Sequence, residues 1–143
     1  MIGWLRCRLA RDDQGSVLLL TIGYALLAAV TVFVCVDATS LYLAQKRLDA
    51  IADAAALAGA DGFTLEISGA EPVARLTSDD VYAQASALLD VVASDARVVS
   101  AATPDGVSAR VTVAGAWHPP VFTLFVPEGV PLQATATSRT ALR

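Results

Sequence analysis

The sequence predicts an α+β protein in which a single-pass transmembrane helix continues into a long extracytoplasmic helix, followed by a small head. In this head, one more helix is expected to pack on a roughly three-stranded antiparallel sheet. Three observations predict the fold: a run without charge from residue 14 to residue 36, apolar residues at helical spacing after it, and period-two alternation in the last third of the chain. With 143 residues, the chain has room for one small domain beside the span.

The uncharged run holds 23 residues and predicts a retained transmembrane helix over residues 16–36. A helix of this length would measure about 34 Å, against a hydrocarbon core of about 30 Å. A cleaved secretory signal is the alternative, but such signals have an apolar region of only about 7 to 15 residues before their cleavage site. The nearest A-x-A pattern lies well beyond the run, within residues 52–60. The segment is therefore expected to stay in the cell membrane.

Positive charges flank the span unequally and predict its orientation. Arg6, Arg8 and Arg11 precede it, whereas Lys46 and Arg47 follow only later. The positive-inside rule then places the N-terminus in the cytoplasm and the C-terminal domain outside. The predicted divisions are a cytoplasmic basic segment at 1–15, the transmembrane helix at 16–36, a helical extension at 37–61 and an extracytoplasmic α+β head at 62–143.

The extension is predicted to be helical because it is rich in Ala and Leu and has neither Pro nor Gly before Gly59. Its apolar residues recur at alternating spacings of four and three, which is a heptad pattern. The residues of this seam are Leu41, Ala44, Leu48, Ile51, Ala55 and Ala58. The seam is expected to pack either on the chain's own small domain or on identical or related helices, and the two alternatives are compatible.

The next elements are a connection and a second helix. Gly59 and Gly62 are expected to end the long helix, and residues 63–72 are predicted to form a loop or a short strand. Thr77 and Ser78, followed by two aspartates, are typical of a helix start, where the helix dipole favours acidic side chains. The apolar face predicted for this helix consists of Val81, Ala85, Leu88, Leu89 and Val92.

The final third is predicted to form the sheet. Residues 97–103 and 107–117 should pair as a hairpin, because Pro104 and Gly106 between them suit a tight turn. The inward residues of the second strand are Val107, Ala109, Val111 and Val113. Residues 131–142 alternate in the same way and predict a third strand. The crossover between these strands carries an apolar cluster, namely Val121, Phe122, Leu124 and Phe125.

The sequence contains no pattern that points to catalysis or cofactor binding. His118 has no second His or Cys nearby, so it does not predict a metal site, and neither a nucleophile elbow nor a phosphate-binding glycine loop occurs. The net charge of −4 argues against nucleic acid. We therefore expect no enzyme, no cofactor, no metal and no small-molecule substrate. A membrane-tethered hydrolase remains an alternative that would need a nucleophile beside His118.

The two cysteines do not point to catalysis either. Cys7 and Cys35 stand near opposite ends of the apolar run and are 28 residues apart. On one helix this separation is about 42 Å, far beyond the reach of a disulfide within one chain.

Several stretches resemble the TadE/TadG-like proteins of the tight-adherence (Flp-type) pilus machinery. They are the basic segment, "QGS" before the span, "LYLAQKRLDAIADAAALAGA" after it, and the tail "VPLQATATSRTAL". The resemblance implies a structural minor pilin or pseudopilin that is anchored by its N-terminal helix. Its implied partners are the lipid bilayer and other pilin-like or Tad-system membrane proteins, including further copies of itself. The alternative is a single-pass scaffold or binding subunit of another cell-envelope complex.

The resemblance also implies a cleavage position. Prepilin peptidases cut after a Gly that precedes the apolar run, and Gly15 followed by Ser16 fits that place. Such precursors commonly carry Glu at the fifth mature position, where this chain has Leu20. Without that carboxylate the new amino terminus would lack a partner between neighbouring subunits. The sequence therefore favours a minor over a major subunit.

Overall fold

The computed structural model describes residues 6–68, 71–121, 123 and 126–139, and it confirms the predicted α+β class. The elements are two helices, α1 (Arg6–Asp61) and α2 (Ser78–Val92), and five strands, β1 (Thr64–Ser68), β2 (Glu71–Arg75), β3 (Arg97–Ala102), β4 (Ser108–Trp117) and β5 (Val130–Arg139). The chain divides into two compact units, Met1–Thr39 and Ser40–Arg143.

The first unit contains the apolar part of α1. From Gly15 onward, this helix is long and apolar enough to cross a membrane by length and composition. The hydroxyls of Thr21 and Thr31 donate hydrogen bonds of 2.8 Å to the carbonyl oxygens of Val17 and Leu27. These polar groups are thus satisfied within the helix itself, as a hydrocarbon environment requires.

The second unit is built on a three-stranded antiparallel sheet in the order β3-β4-β5. Its centre pairs Val111 of β4 with Ala101 on one side and Ala136 on the other. The sheet agrees with the strands predicted from period-two alternation. A separate antiparallel hairpin joins β1 to β2, where the sequence predicted only a loop or a short strand.

The turn between β3 and β4 has the positive φ that its glycine allows, 76° at Gly106. Asp105 organises this turn: its carboxylate accepts hydrogen bonds from the backbone N–H groups of Val107 (3.1 Å) and Ser108 (2.6 Å) and from the Ser108 hydroxyl (2.8 Å). Arg139 of β5 lies 3.5 Å from the same carboxylate. The Ser108 hydroxyl, assisted by these N–H groups, holds the pKa of Asp105 below its ordinary value.

The core of the second unit is made largely of small side chains. Its largest fully buried side chains are Val81, Val111 and Val113. The buried alanines are Ala52, Ala55, Ala56, Ala60, Ala85, Ala93, Ala109, Ala114, Ala134 and Ala136. The outer part of α1, α2 and one face of the sheet all contribute to this core. Such small side chains let helices and strands approach closely.

Helix α2 begins as the sequence predicts. The Thr77 hydroxyl accepts a hydrogen bond of 3.2 Å from the backbone N–H of Asp80, which caps the first turn. Val81, Ala85 and Leu89 of the predicted face are buried and Leu88 is half-buried.

One residue of this predicted face is misplaced. Val92 is 57% exposed, whereas the next residue, Ala93, is buried. The prediction for Val92 was wrong because α2 ends there: Ala93 leaves the helical conformation, with φ −151° and ψ 69°, and its side chain joins the buried set. Within the predicted crossover cluster, Phe122, Leu124 and Phe125 lie outside the described residues.

Candidate helix-packing surface

The six seam residues all lie on α1 in the second unit. Leu48 and Ala55 are buried. Leu41, Ala44, Ile51 and Ala58 are half-buried, and Ile51 packs against the core. At its two buried residues, the seam therefore faces the chain's own domain.

Glycines show how close this packing is. A Cβ atom on Gly59 would lie 2.8 Å from Cγ1 of Val81 and 3.4 Å from Cβ of Ala109. On β4, a Cβ atom on Gly115 would lie 3.4 Å from Cδ1 of Leu48. These approaches bring α1 against both α2 and β4. Of the two alternatives that the sequence left open, packing on the own domain is present at these residues.

Polar contacts lie at the edge of this packing surface. The side-chain amide nitrogen of Gln45 donates to the backbone carbonyl of Gln133 on β5 at 3.1 Å and to Asp49 at 3.0 Å. Lys46 also binds Asp49 at 3.0 Å. The hydrogen bond from Lys46, followed by that from Gln45, lowers the pKa of Asp49, and the bond to Asp49 raises the pKa of Lys46. Lys46 is exposed and Gln45 and Asp49 are only half-buried, so these contacts position the helix more than they stabilise it.

A second polar contact lies at the start of the unit. The indole N–H of Trp117, the last residue of β4, donates to the hydroxyl of Ser40 at 3.1 Å. Arg47 and Asp95 approach to 3.7 Å across the gap between α1 and the segment after α2. The helix is thus tied to the domain at both strand and loop positions.

Another side of the helical extension is exposed, and the predicted seam does not include it. It carries a second apolar series at spacings of seven, four and three, namely Leu43, Ala50, Ala54 and Leu57. Leu43 is 61% exposed and Leu57 is 57% exposed. We call these four residues the outer stripe. A heptad count from Leu43 would have found it, but alanine suits both buried and exposed positions and hides the contrast between the two faces.

Charged residues of opposite sign flank the two ends of the outer stripe. The basic residues Lys46 and Arg47 lie toward its membrane end, and the acidic residues Asp53 and Asp61 lie toward its far end. All four are exposed. The outer stripe therefore combines apolar side chains with flanking charges that change from positive to negative along the helix.

The predicted cleavage position also falls on α1. Gly15 and Ser16 are both exposed helical residues, and a Cβ atom on Gly15 would meet nothing within 4 Å. Cys35, near the end of the apolar run, is an exposed free thiol. Among the described residues, no three His, Cys, Asp or Glu side chains form a group that could hold a metal ion.

Comparison with known families identifies the helical part of the chain. The Tad family model, described as Flp pilus-assembly TadE/G-like, matches residues 15–62. The match covers about a third of the 143 residues and ends one residue after α1. The resemblance to TadE/TadG-like proteins is thereby confirmed for this segment, and it associates the chain with a Flp pilus-assembly system.

This family is structural rather than catalytic, and it implies other Tad-system components as partners. No curated protein and no solved structure matches the chain.

Proposed function

We propose that the protein is a structural minor pilin or pseudopilin-like component of a tight-adherence (Flp-type) pilus or a related secretion apparatus. The observation that carries this proposal is the composition of α1. One helix contains the membrane-capable apolar segment and also contributes residues to the core of the α+β head. The TadE/G-like match covers this helix from Gly15 to its end. The chain therefore has the parts that an anchored structural subunit needs.

The proposed topology places the N-terminus in the cytoplasm and the head outside the membrane. The arginines before the span support this orientation through the positive-inside rule. Alkaline carbonate extraction should leave the chain in the membrane fraction, and protease added to spheroplasts should digest residues 38–143. Protection of the C-terminus from the protease would reverse the proposed orientation.

Assembly is proposed to use the outer stripe. The seam side of the extension packs on the chain's own head at Leu48 and Ala55, so the face available to another subunit is the one with Leu43 and Leu57. The proposed occupant is the equivalent helix of a neighbouring pilin-like subunit. Small residues such as Ala50 and Ala54 permit close helix–helix approach, and burial of the two leucines would supply the apolar contact area.

The charges support a particular arrangement of the two helices. Subunits anchored in the same membrane with the same orientation have parallel helices, so their basic ends would face each other if they were in register. A displacement of one heptad, about 10 Å along the axis, brings Lys46 of one helix beside Asp53 of the next. The same displacement sets Leu43 against Ala50 of its neighbour. We therefore propose parallel, staggered packing.

Processing is proposed to occur between Gly15 and Ser16. Glycine lowers local helix stability by about 1 kcal/mol relative to alanine, which would help a peptidase to open α1 at this point. Coexpression with a prepilin peptidase should give a mature chain whose N-terminal sequence starts at Ser16. A Gly15→Leu variant is the matched control and should keep Met1. Retention of Met1 in the unsubstituted chain would remove the processing step and leave an unprocessed anchor.

The functional proposal itself is tested by assembly. Deletion of the gene should reduce surface pili, and complementation should restore them. Native purification of the complemented protein from detergent-solubilised membranes, followed by mass spectrometry, should recover Tad-system membrane proteins. Recovery of a different envelope complex, with normal piliation in the deletion strain, would instead identify the chain as a scaffold subunit of that complex.

A further inference from the structure

Strand β5 forms one edge of the three-stranded sheet and is the longer of its two edge strands. It pairs with β4 from Val130 to Arg139 without a shift of register, and Arg139 is its only charged residue. Long, regular edge strands are templates for pairing with a further strand unless a bulge, a charge or a covering element prevents it. Over most of its length, β5 has neither a bulge nor a charge.

A hydrogen bond from α1 shows which backbone groups of β5 point away from β4. The Gln133 carbonyl accepts it from the side chain of Gln45 at 3.1 Å, so the backbone N–H and C=O of Gln133 point outward. Because this direction alternates along a strand, Thr135 and Thr137 also present these groups outward. Pro131 stands in the same row, where its missing N–H breaks no pairing with β4. Among the described residues, none bonds to the outward N–H groups of Thr135 and Thr137.

The other edge of the sheet is protected. Strand β3 has only six residues, and its pairing with β4 is irregular between Val98 and Ser100. Helix α2 contacts this strand, and the hydroxyl of Ser78 accepts a hydrogen bond of 3.3 Å from the backbone N–H of Thr103, directly after β3. Bulges and covering elements are usual means of preventing strand addition. A further strand is therefore expected at β5 and not at β3.

The side chains of β5 favour a second copy of the same strand as the partner. Antiparallel self-pairing about Thr135 sets this residue opposite its equivalent and Gln133 opposite Thr137. Arg139 then lies at the end of the pair, away from its equivalent. Thr–Thr pairs stabilise neighbouring strands, whereas like charges directly opposite destabilise them. The Thr135 hydroxyl already lies 2.9 Å from that of Thr112 on β4, so the same row of hydroxyls would continue into the second sheet.

We infer that two copies of the chain join their heads by antiparallel pairing of β5 with β5 about Thr135, so that two three-stranded sheets form one sheet of six strands. The Gln133 carbonyl has a second lone pair, which accepts the N–H of Thr137 from the other copy beside the bond from Gln45. The contact is isologous, since the same residues serve both copies. It includes no residue of the outer stripe and therefore goes beyond the proposed assembly of helices.

The test uses membranes from cells that express the full chain with Cys7→Ser and Cys35→Ser. Thr135→Cys carries the reporting thiol. Ser100→Cys is the matched control, because Ser100 is also exposed and lies in the same cross-strand row at the other edge, through Thr112. In the six-stranded sheet, the two copies of residue 135 lie one strand spacing apart, about 5 Å, and those of residue 100 lie five spacings apart, about 24 Å.

A short bifunctional thiol reagent, with a reach of about 5 Å, should give severalfold more dimer at residue 135 than at residue 100. A long reagent, with a reach of about 24 Å, should raise the yield at residue 100. Thr137→Pro removes an outward N–H that has no partner within the described chain, so it should leave the circular dichroism spectrum unchanged. It should lower the yield of dimer at residue 135 severalfold. The comparison of residues 135 and 100 does not require this variant to fold.

Equal yields at residues 135 and 100 with the short reagent, or more dimer at residue 100, would overturn the inference. An unchanged yield at residue 135 in folded Thr137→Pro would also overturn it. Crosslinking of Leu43→Cys to Ala50→Cys tests the helical contact separately. If that product formed without a dimer at residue 135, the head contact alone would be wrong, whereas the reverse result would support pairing of the heads and contradict the proposed use of the outer stripe.

Discussion

A Cβ atom on Gly59 would lie 2.8 Å from Cγ1 of Val81, so α1 and α2 touch at a point that has no room for a side chain. Val81 is fully buried, and its Cγ1 can move only by rotation about a single bond. The junction of the two helices therefore depends on the residue with the smallest volume. The same contact explains why a glycine is tolerated within α1 despite its poor helix propensity.

Gly59→Leu should destabilise the head by about 1–3 kcal/mol, because the added side chain overpacks the contact with Val81. Ala54→Leu is the matched control, since Ala54 is exposed on the same helix and the substitution should change stability by less than about 0.5 kcal/mol. Denaturant unfolding in detergent micelles, followed by circular dichroism, measures both. Equal unfolding midpoints would contradict the close approach of α1 and α2.

Leu48→Asp and Ile51→Lys should each cost several kcal/mol, because an unpaired charge would enter the contact between α1 and the sheet. Leu48 is 5% exposed and lies against Gly115. Lys46→Ala removes an exposed ion pair and should leave the stability of the head nearly unchanged. Thermal unfolding and limited proteolysis distinguish the two groups. If the seam variants were as stable as Lys46→Ala, the seam would have no packing role.

Asp105→Asn should make the head's stability less dependent on pH. Because folding lowers the pKa of Asp105 below 3.8, its stabilising effect is complete above that value and is lost as the pH falls through the lower pKa of the folded state. The unsubstituted protein should therefore melt at a higher temperature than Asp105→Asn at pH 7, and the gap should narrow below about pH 4. When both proteins also carry Ser108→Ala, this difference in melting temperature should be smaller. A gap that stayed constant down to pH 2.5 would contradict this role of Asp105.

Crosslinking should detect the proposed staggered packing of the outer stripe. Two singly substituted chains, Leu43→Cys and Ala50→Cys, are coexpressed without the native cysteines, and membranes are oxidised. Heterodimers should exceed Leu43→Cys homodimers severalfold, since a one-heptad displacement brings residue 43 to residue 50 of the neighbour. Asp53→Lys should lower the yield through repulsion of Lys46. Dominant homodimers of Leu43→Cys would favour packing in register, and absence of any crosslink would leave the stripe without a helical partner.

Much of this fold could be predicted because its signals are local. Alternation at Ala109, Val111 and Val113 fixed the inward face of β4, and those three side chains are fully buried. The side chain of Thr77 selects the start of α2 through one hydrogen bond to the next turn. Pattern and local chemistry agree at these elements, so the sequence alone was sufficient.

The packing surface was harder to predict, because it depends on tertiary contacts between small residues. Ala52 and Ala54 are the same residue type two positions apart, yet one is buried and the other exposed. An alanine-rich helix offers little contrast between faces, so periodicity identified the seam but not the buried alanines beside it, Ala52, Ala56 and Ala60. The hairpin of β1 and β2 depends on pairing between strands whose sequences lack strict alternation, such as residues 71–75.

The alanine-rich core described above also has a calorimetric consequence. The heat-capacity change of unfolding grows with the apolar area that unfolding exposes, and a core whose largest fully buried side chains are valines exposes little area per residue. The head should therefore have a small heat-capacity change for its size. Its free energy of unfolding would then vary only gently with temperature, which gives a broad plateau of stability instead of a sharp maximum.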